Sequence, residues 1–315
     1  MTYIDQEIAI DTKTGFGADM PLAISSLLLR RLEDTARPCV RMAVEGSSAS
    51  VGATPLWLER ASDIRTIGFS ARGEQSVLHV RAPRLGDAIP EIFDQPSLWP
   101  GMAQPDETAI ELIGRVGAVV KRREVASDLY DQPLLRHFGQ WHLVFKREVK
   151  EIQLPRSGAG DEGAVKLDIT VARNARLLSD QMPSPRQVRI VGKLDMVRHS
   201  TRSFALLLAS GQEVRGVLEE RDPELLQRYF GKEITVFGKA IYRPSGSLLR
   251  LDAEEILDTT EGRAAFSSIP EALSQPYRTE RRGQTARTGV AAFFGTWPGE
   301  ETDEDLLAAL GELRH

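Results

Sequence analysis

The side chains best suited to chemistry are few, and none falls into a spacing that a known reaction requires. His137 and His142 lie five apart across Phe138-Gly-Gln-Trp141. Two imidazoles sharing a metal on one helix face need a separation of three or four, and no carboxylate stands between these two. They read as structural histidines. Gly46-Ser-Ser-Ala-Ser-Val-Gly52 has the small residues of a phosphate-binding loop but lacks the Lys-Ser/Thr pair that would meet the phosphates. Nor is it a nucleophile elbow, because Ser48 is followed two residues later by Ser50 where a glycine is needed. Cys39 has no nearby lysine or histidine in sequence to hold a thiolate, so a small core residue is the expectation. No catalytic residue, metal ligand or cofactor emerges, and the reading leans away from an enzyme. A site in the first 155 residues is the third reading.

What remains is binding. From Arg186 to Arg250 there are twelve Lys or Arg against seven Asp or Glu, an excess of +5 inside a chain whose net charge is −5. Arg198, His199, Arg202, Phe204, Arg215, Tyr242 and Arg243 could form a face where cations meet phosphates and rings stack on bases. Against this, Phe204 also fits a core stripe with Leu206 and Leu208, and the basic residues could simply solvate the surface.

The elements that would position these residues follow from composition and pattern. With 315 residues, 41% hydrophobic and 27% charged, the chain is long enough for about two domains. One cysteine forbids an internal disulfide framework, which points to a reducing, cytoplasmic setting. No apolar run approaches the roughly 18–20 residues of a membrane span. Met1–Asp11 carries acids where a secretory leader would be cationic, so no membrane partner is expected.

The expected fold class is α+β: an N-terminal mixed α/β domain, a small five-stranded barrel and an amphipathic tail helix. Residues 1–20 read as a frayed or clasp-like leader. Leu22, Ile24, Leu27, Leu28 and Leu32 suit one helix that Pro38 stops, and Val40, Met42 and Val44 alternate as in a strand. Ile64–Ser70 and Ser76–Ala82 flank a turn at 71–74 and predict a hairpin. A short helix follows around Leu85–Phe93, then a longer one over 107–125 that Asp106 could cap. A helical piece at Pro133–Phe138 leads into a strand at Trp141–Val149. Gly-rich residues near 155–163 place the end of the first domain at 155, with hinge and linking elements over 156–186.

Over 187–257 the elements run strand, strand, strand, helix, strand, strand. Gly192 supplies a bend in the first strand, Gly211 and Gly246 supply turns, and Asp222-Pro223-Glu224 starts the short helix that Gly231 stops. That order resembles the OB-fold, a small Greek-key barrel that often binds oligonucleotides. The resemblance implies a nucleic-acid-binding accessory protein, for instance in phage defence or genome maintenance.

A basic linker, 258–289, separates the barrel from a docking tail, 290–315. In the tail Phe293, Phe294 and Trp297 precede a run of acids, and Leu306, Leu310 and Leu313 recur at i, i+4 and i+7. A dozen residues do not hold a helix alone in water, so the segment needs a groove, on this chain or on a partner protein. Phe-Phe-Gly-Thr-Trp-Pro-Gly-Glu-Glu-Thr-Asp-Glu-Asp-Leu-Leu resembles the C-terminal segments of bacterial type II antitoxins, which wrap PIN-domain ribonuclease toxins. The resemblance implies a non-enzymatic bacterial protein that neutralises or tethers a partner through Phe293, Phe294, Trp297, Leu306, Leu310 and Leu313. It covers about 20 residues, and the chain is much longer than a typical antitoxin. Partner tethering is the leading sequence reading, and nucleic-acid binding by the barrel is its alternative.

Overall fold

The computed structural model describes residues 2–49, 53–94, 103–156, 164–218, 224–258 and 269–272. Its first layer is a five-stranded sheet in the order β2-β3-β1-β4-β5, with every neighbouring pair antiparallel. The strands are β1 (Tyr3–Thr12), β2 (Arg65–Arg72), β3 (Gln75–Pro83), β4 (Val149–Leu154) and β5 (Val165–Asp168). β2 and β3 form the hairpin expected from their alternation.

Residues 3–12 are neither frayed nor a clasp, because they form β1, the central strand. Ile8 and Ile10 point into the core with no exposure, and Asp5, Glu7 and Asp11 alternate on the other face. Gln6 obscures that period. It occupies a core-facing position, where its carbonyl oxygen accepts the Thr108 hydroxyl at 3.0 Å.

Helix α1 runs unbroken from Leu22 to Glu45, with Pro38 inside it. The expected stop at Pro38 and strand at 40–45 are therefore both corrected. Leu28, Leu32, Ala36, Val40 and Val44 form a single i+4 stripe that passes straight through the proline, and all five are buried. An interior proline costs a helix roughly 3 kcal/mol. Burying Val40 and Val44 contributes about 1.5–3 kcal/mol each, which offsets it. Gly46, at φ 73°, ends the helix by returning its N–H to the Met42 carbonyl.

Helices α2 (Leu56–Ala61), α3 (Leu85–Ala88) and α4 (Pro90–Phe93) lead to α5 (Ala109–Lys121). Its cap is Thr108 rather than Asp106: the Thr108 hydroxyl accepts the Glu111 N–H, and the Glu111 carboxylate accepts the Thr108 N–H. Next comes α6 (Gln132–Gln140), and then the expected strand at 141–149 is instead the single-turn helix α7 (His142–Phe145). Trp141 is fully buried there and donates its indole N–H to Thr35 on α1. Beyond β5, α8 (Ile169–Gln181) packs on α5 and α6. The first hydrophobic core thus draws on residues from Ile8 to Met182, joined by Leu249, and includes Leu167 and Val171 from the segment between 156 and 186.

The second core belongs to a closed five-stranded barrel, ordered β10-β8-β7-β6-β9. Its strands are β6 (Arg186–Arg198), β7 (Ser203–Leu207), β8 (Glu213–Leu218), β9 (Glu233–Tyr242) and β10 (Leu248–Asp258), with α9 (Glu224–Tyr229) between β8 and β9. The element order is the one read from sequence, and the barrel is OB-like. It closes through a parallel pairing of β8 with β10 at 216–218 and 251–253. β6 serves both halves, pairing with β9 over 186–193 and with β7 over 193–198. Gly192 stands at that changeover, where a Cβ would come within 3.1 Å of the Leu207 carbonyl oxygen, and the bulge follows at Asp195. Gly238 is tighter still: a Cβ would lie 2.1 Å from the Asp252 carbonyl oxygen, so only glycine lets β9 and β10 approach.

Candidate nucleic-acid interface

The inward residues of β7 and β8, Phe204, Leu206 and Val214, fill the barrel. Their neighbours in sequence therefore face outward, on the sheet that OB barrels use for oligonucleotides. That outer face is divided. Ser203, Ala205 and Val217 are buried, whereas Leu207, Glu213 and Arg215 reach solvent. Lys193 on β6 is exposed and pairs with Leu207, whose partner on β8 is the exposed Glu213. Arg215, opposite Ala205, lies diagonal to Leu207 on the same face, so Lys193, Leu207 and Arg215 are accessible together around Glu213.

The seven barrel residues singled out from sequence are dispersed by this arrangement. Phe204 has no exposure and belongs to the core, as its spacing with Leu206 and Leu208 also implied. Arg198 is 2% exposed and donates to the carbonyl of Ile92 in the first layer, and burial pulls its guanidinium pKa down. His199 is exposed on the β6–β7 turn, and Arg202 is half-buried beside it with φ 53°. Arg215, Tyr242 and Arg243 do come together, lining a cleft of about 570 Å³ between the β7–β8 turn, the β9–β10 loop and residues 269–271. Within it the Tyr242 ring is buried and its hydroxyl donates to the Pro270 carbonyl. Arg243 is held by Asp128 and the Leu248 carbonyl. Arg215 pairs with Glu213 on its own strand, at 2.9 Å and partly exposed. Such a surface pair is worth about 0–1 kcal/mol, weak enough to exchange for a phosphate.

A larger groove, about 1050 Å³, lies on the first layer between α1, α2 and β2. Its arginines are matched by acids: Arg30 with Asp34, Arg37 with Glu33, Arg60 with Glu91 and Arg65 with Asp63. The barrel cleft is balanced as well, Arg215 and Arg243 against Glu213 and Glu271, so what favours the barrel is its OB-like topology and the exposed Lys193 on its outer face rather than charge within the cleft.

Buried charges join the barrel to the first layer. Arg250, 5% exposed on β10, donates to Asp131 at 3.1 Å, to the Gly46 carbonyl at 3.1 Å and to Asp252 at 2.6 Å. Burial pulls its pKa down, but Asp131 and Asp252 pull harder, and it ends above the ordinary arginine value. Asp131 has no exposure; it caps α6 through the Leu134 N–H and also accepts the backbone N–H and hydroxyl of Ser48. Glu45 sits near this junction with Arg41 at 3.5 Å, and burial pushes its carboxyl up against the pull of Arg41 and Arg202.

Sequence reasoning missed Lys193 and Leu207 as surface residues and Arg250 and Asp131 as a pair. For Lys193 a signal existed, since it alternates with the core residues Val188, Ile190 and Leu194 about the Gly192 bend. For Arg250 and Asp131, 119 positions apart, there was none. The tail residues Phe293, Phe294, Trp297, Leu306, Leu310 and Leu313 lie outside the described residues, as does most of the linker before them. Among the described residues no group of His, Cys, Asp and Glu is arranged to hold a metal ion, and no helix is long and apolar enough to cross a membrane. No protein-family model, no curated protein and no solved structure matches the chain.

Proposed function

We propose that this protein is a nucleic-acid-binding accessory protein whose OB-like barrel holds a single strand along Lys193, Leu207 and Arg215 and into the adjoining cleft. The observation that carries the reading is the barrel topology together with a β7–β8 face that stays open on the Arg215 side. Lys193 and Arg215 supply phosphate contacts, and Leu207, 39% exposed, supplies an apolar seat for a base. The test is fluorescence anisotropy of a labelled mixed-sequence single-stranded oligonucleotide against the full chain, from low to moderate salt. Affinity should fall as salt rises, with a log–log slope of about −0.7 per phosphate contacted. Lys193→Glu with Arg215→Glu should make that slope shallower by about 1.4. Absence of binding at low salt, or a slope unchanged by the double variant, overturns the proposal.

The sequence of residues 290–315 favours a second reading, tethering of a partner protein by Phe293, Phe294, Trp297 and the leucines that follow. Deleting 290–315 should remove a co-purifying partner while leaving thermal unfolding of the remaining chain unchanged. An intact complex after the deletion rejects that reading.

A further inference from the structure

The outer face of the first sheet carries a side-chain relay that neither reading uses. Glu7 on β1 and His79 on β3 are register partners, and His79 is also paired with Gly68 on β2. Ser70 stands two residues beyond Gly68 on the same face. Its hydroxyl lies 2.6 Å from His79 Nε2, and His79 Nδ1 lies 3.6 Å from a Glu7 carboxylate oxygen. The other Glu7 oxygen is held by Arg72 at 2.6 Å. A hydroxyl, an imidazole and a carboxylate therefore stand in line, the order in which serine nucleophiles are activated. With the imidazole proton on Nδ1, facing Glu7, the Nε2 lone pair faces Ser70. The 3.6 Å separation is electrostatic contact rather than a hydrogen bond, and it can shorten when an imidazolium forms.

Room for a substrate is present as well. A Cβ built at Gly68 meets nothing within 4 Å, so the position across from His79 and beside Ser70 is empty. Glu7 is half exposed and His79 about one third, which gives small molecules access from solvent.

We propose that Ser70 is a nucleophile toward small activated carboxylic esters, with His79 as its base and Glu7 as the group that orients His79. The Ser70 O–H bond breaks and its proton passes to His79 Nε2 as Oγ bonds to the carbonyl carbon. The tetrahedral adduct expels the aryl oxide, which takes the proton from His79 and leaves acyl-Ser70. Water then attacks the acyl carbon with His79 again accepting the proton, and collapse releases the carboxylic acid and restores the serine. On this open face water solvates the oxyanion, so the acceleration comes from the base alone, about 10²–10⁴-fold.

The experiment exposes the full chain to p-nitrophenyl acetate, following nitrophenolate release and locating acetyl groups by peptide mass spectrometry. Acetyl on Ser70 is expected, with Ser70→Ala and His79→Gln each losing about 100-fold or more in rate. Gly68→Val, which fills the open position across from His79, should slow acylation, and circular dichroism identifies any variant that fails to fold. Acetyl found only on lysines, or Ser70→Ala reacting as fast as the parent chain, overturns the proposal.

Discussion

Replacing Arg250 by methionine tests whether the buried charges at the junction bind the barrel to the first layer. The substitution keeps most of the volume and removes the guanidinium that reaches Asp131, Asp252 and the Gly46 carbonyl. Leaving one member of a buried ion pair alone costs about 3–5 kcal/mol. Asp131 would keep three donors, the Ser48 N–H, the Ser48 hydroxyl and the Leu134 N–H, and Asp252 is near enough to solvent to be hydrated. Both facts place the expected loss at the lower end, about 3 kcal/mol. Urea unfolding is the assay, read by tryptophan emission and by far-ultraviolet circular dichroism. None of the four tryptophans lies in residues 186–258; with Trp99 and Trp297 replaced by phenylalanine in every chain compared, emission from Trp57 and Trp141 reports the first layer while dichroism reports the layer and the barrel together. The two probes should coincide for the parent chain and separate for Arg250→Met. Combined with Asp131→Asn, the losses should be sub-additive by at least about 1 kcal/mol, because the second change removes the stranded charge. A loss under about 1 kcal/mol, coincident probes in the variant, or strict additivity would refute the reasoning.

Two further predictions concern local devices. Burial pushes the Asp168 carboxyl up, but Lys121 at 2.8 Å and the Thr170 N–H outweigh it, so its pKa lies below the ordinary 3.8. Its contribution is therefore full above that value and lost as pH falls through the lower folded one; Asp168→Ala should cost about 1 kcal/mol at pH 7, with the gap to the parent chain closing in acid, as thermal melts across pH would show. Gly238→Ala must push β9 from β10 and should lower stability by about 3 kcal/mol, whereas Gly68→Ala, with open space around it, should stay within about 0.5 kcal/mol in the same urea assay.

The barrel was legible because each of its turns has its own residue chemistry: Gly211, Gly231 and Gly246 all adopt the positive φ that their positions in the sequence implied. The first layer was harder, because there local rules yield to packing. Pro38 is a sound stop signal in isolation, and the i+4 stripe from Leu28 to Val44 overrides it because that stripe is buried in a helix packed on α5 and α6. Gln6 hid β1 because its polarity is answered by Thr108, a partner 102 residues away. The candidate interface divided along the same line. The positions of Arg215, Tyr242 and Arg243 follow from strand alternation and loop placement, whereas the reach of Arg198 to Ile92 depends on how the first layer meets the barrel.

The central place of β1 has a bearing on biogenesis. Residues 3–12 leave the ribosome before either of their neighbours in the sheet, which lie at 75–83 and 149–154. Leu249, synthesised later still, completes the same core. Pairings so distant along the chain form slowly, so β1 must wait without its second neighbour until β4 has been made, and synthesis speed or a holding chaperone should govern yield.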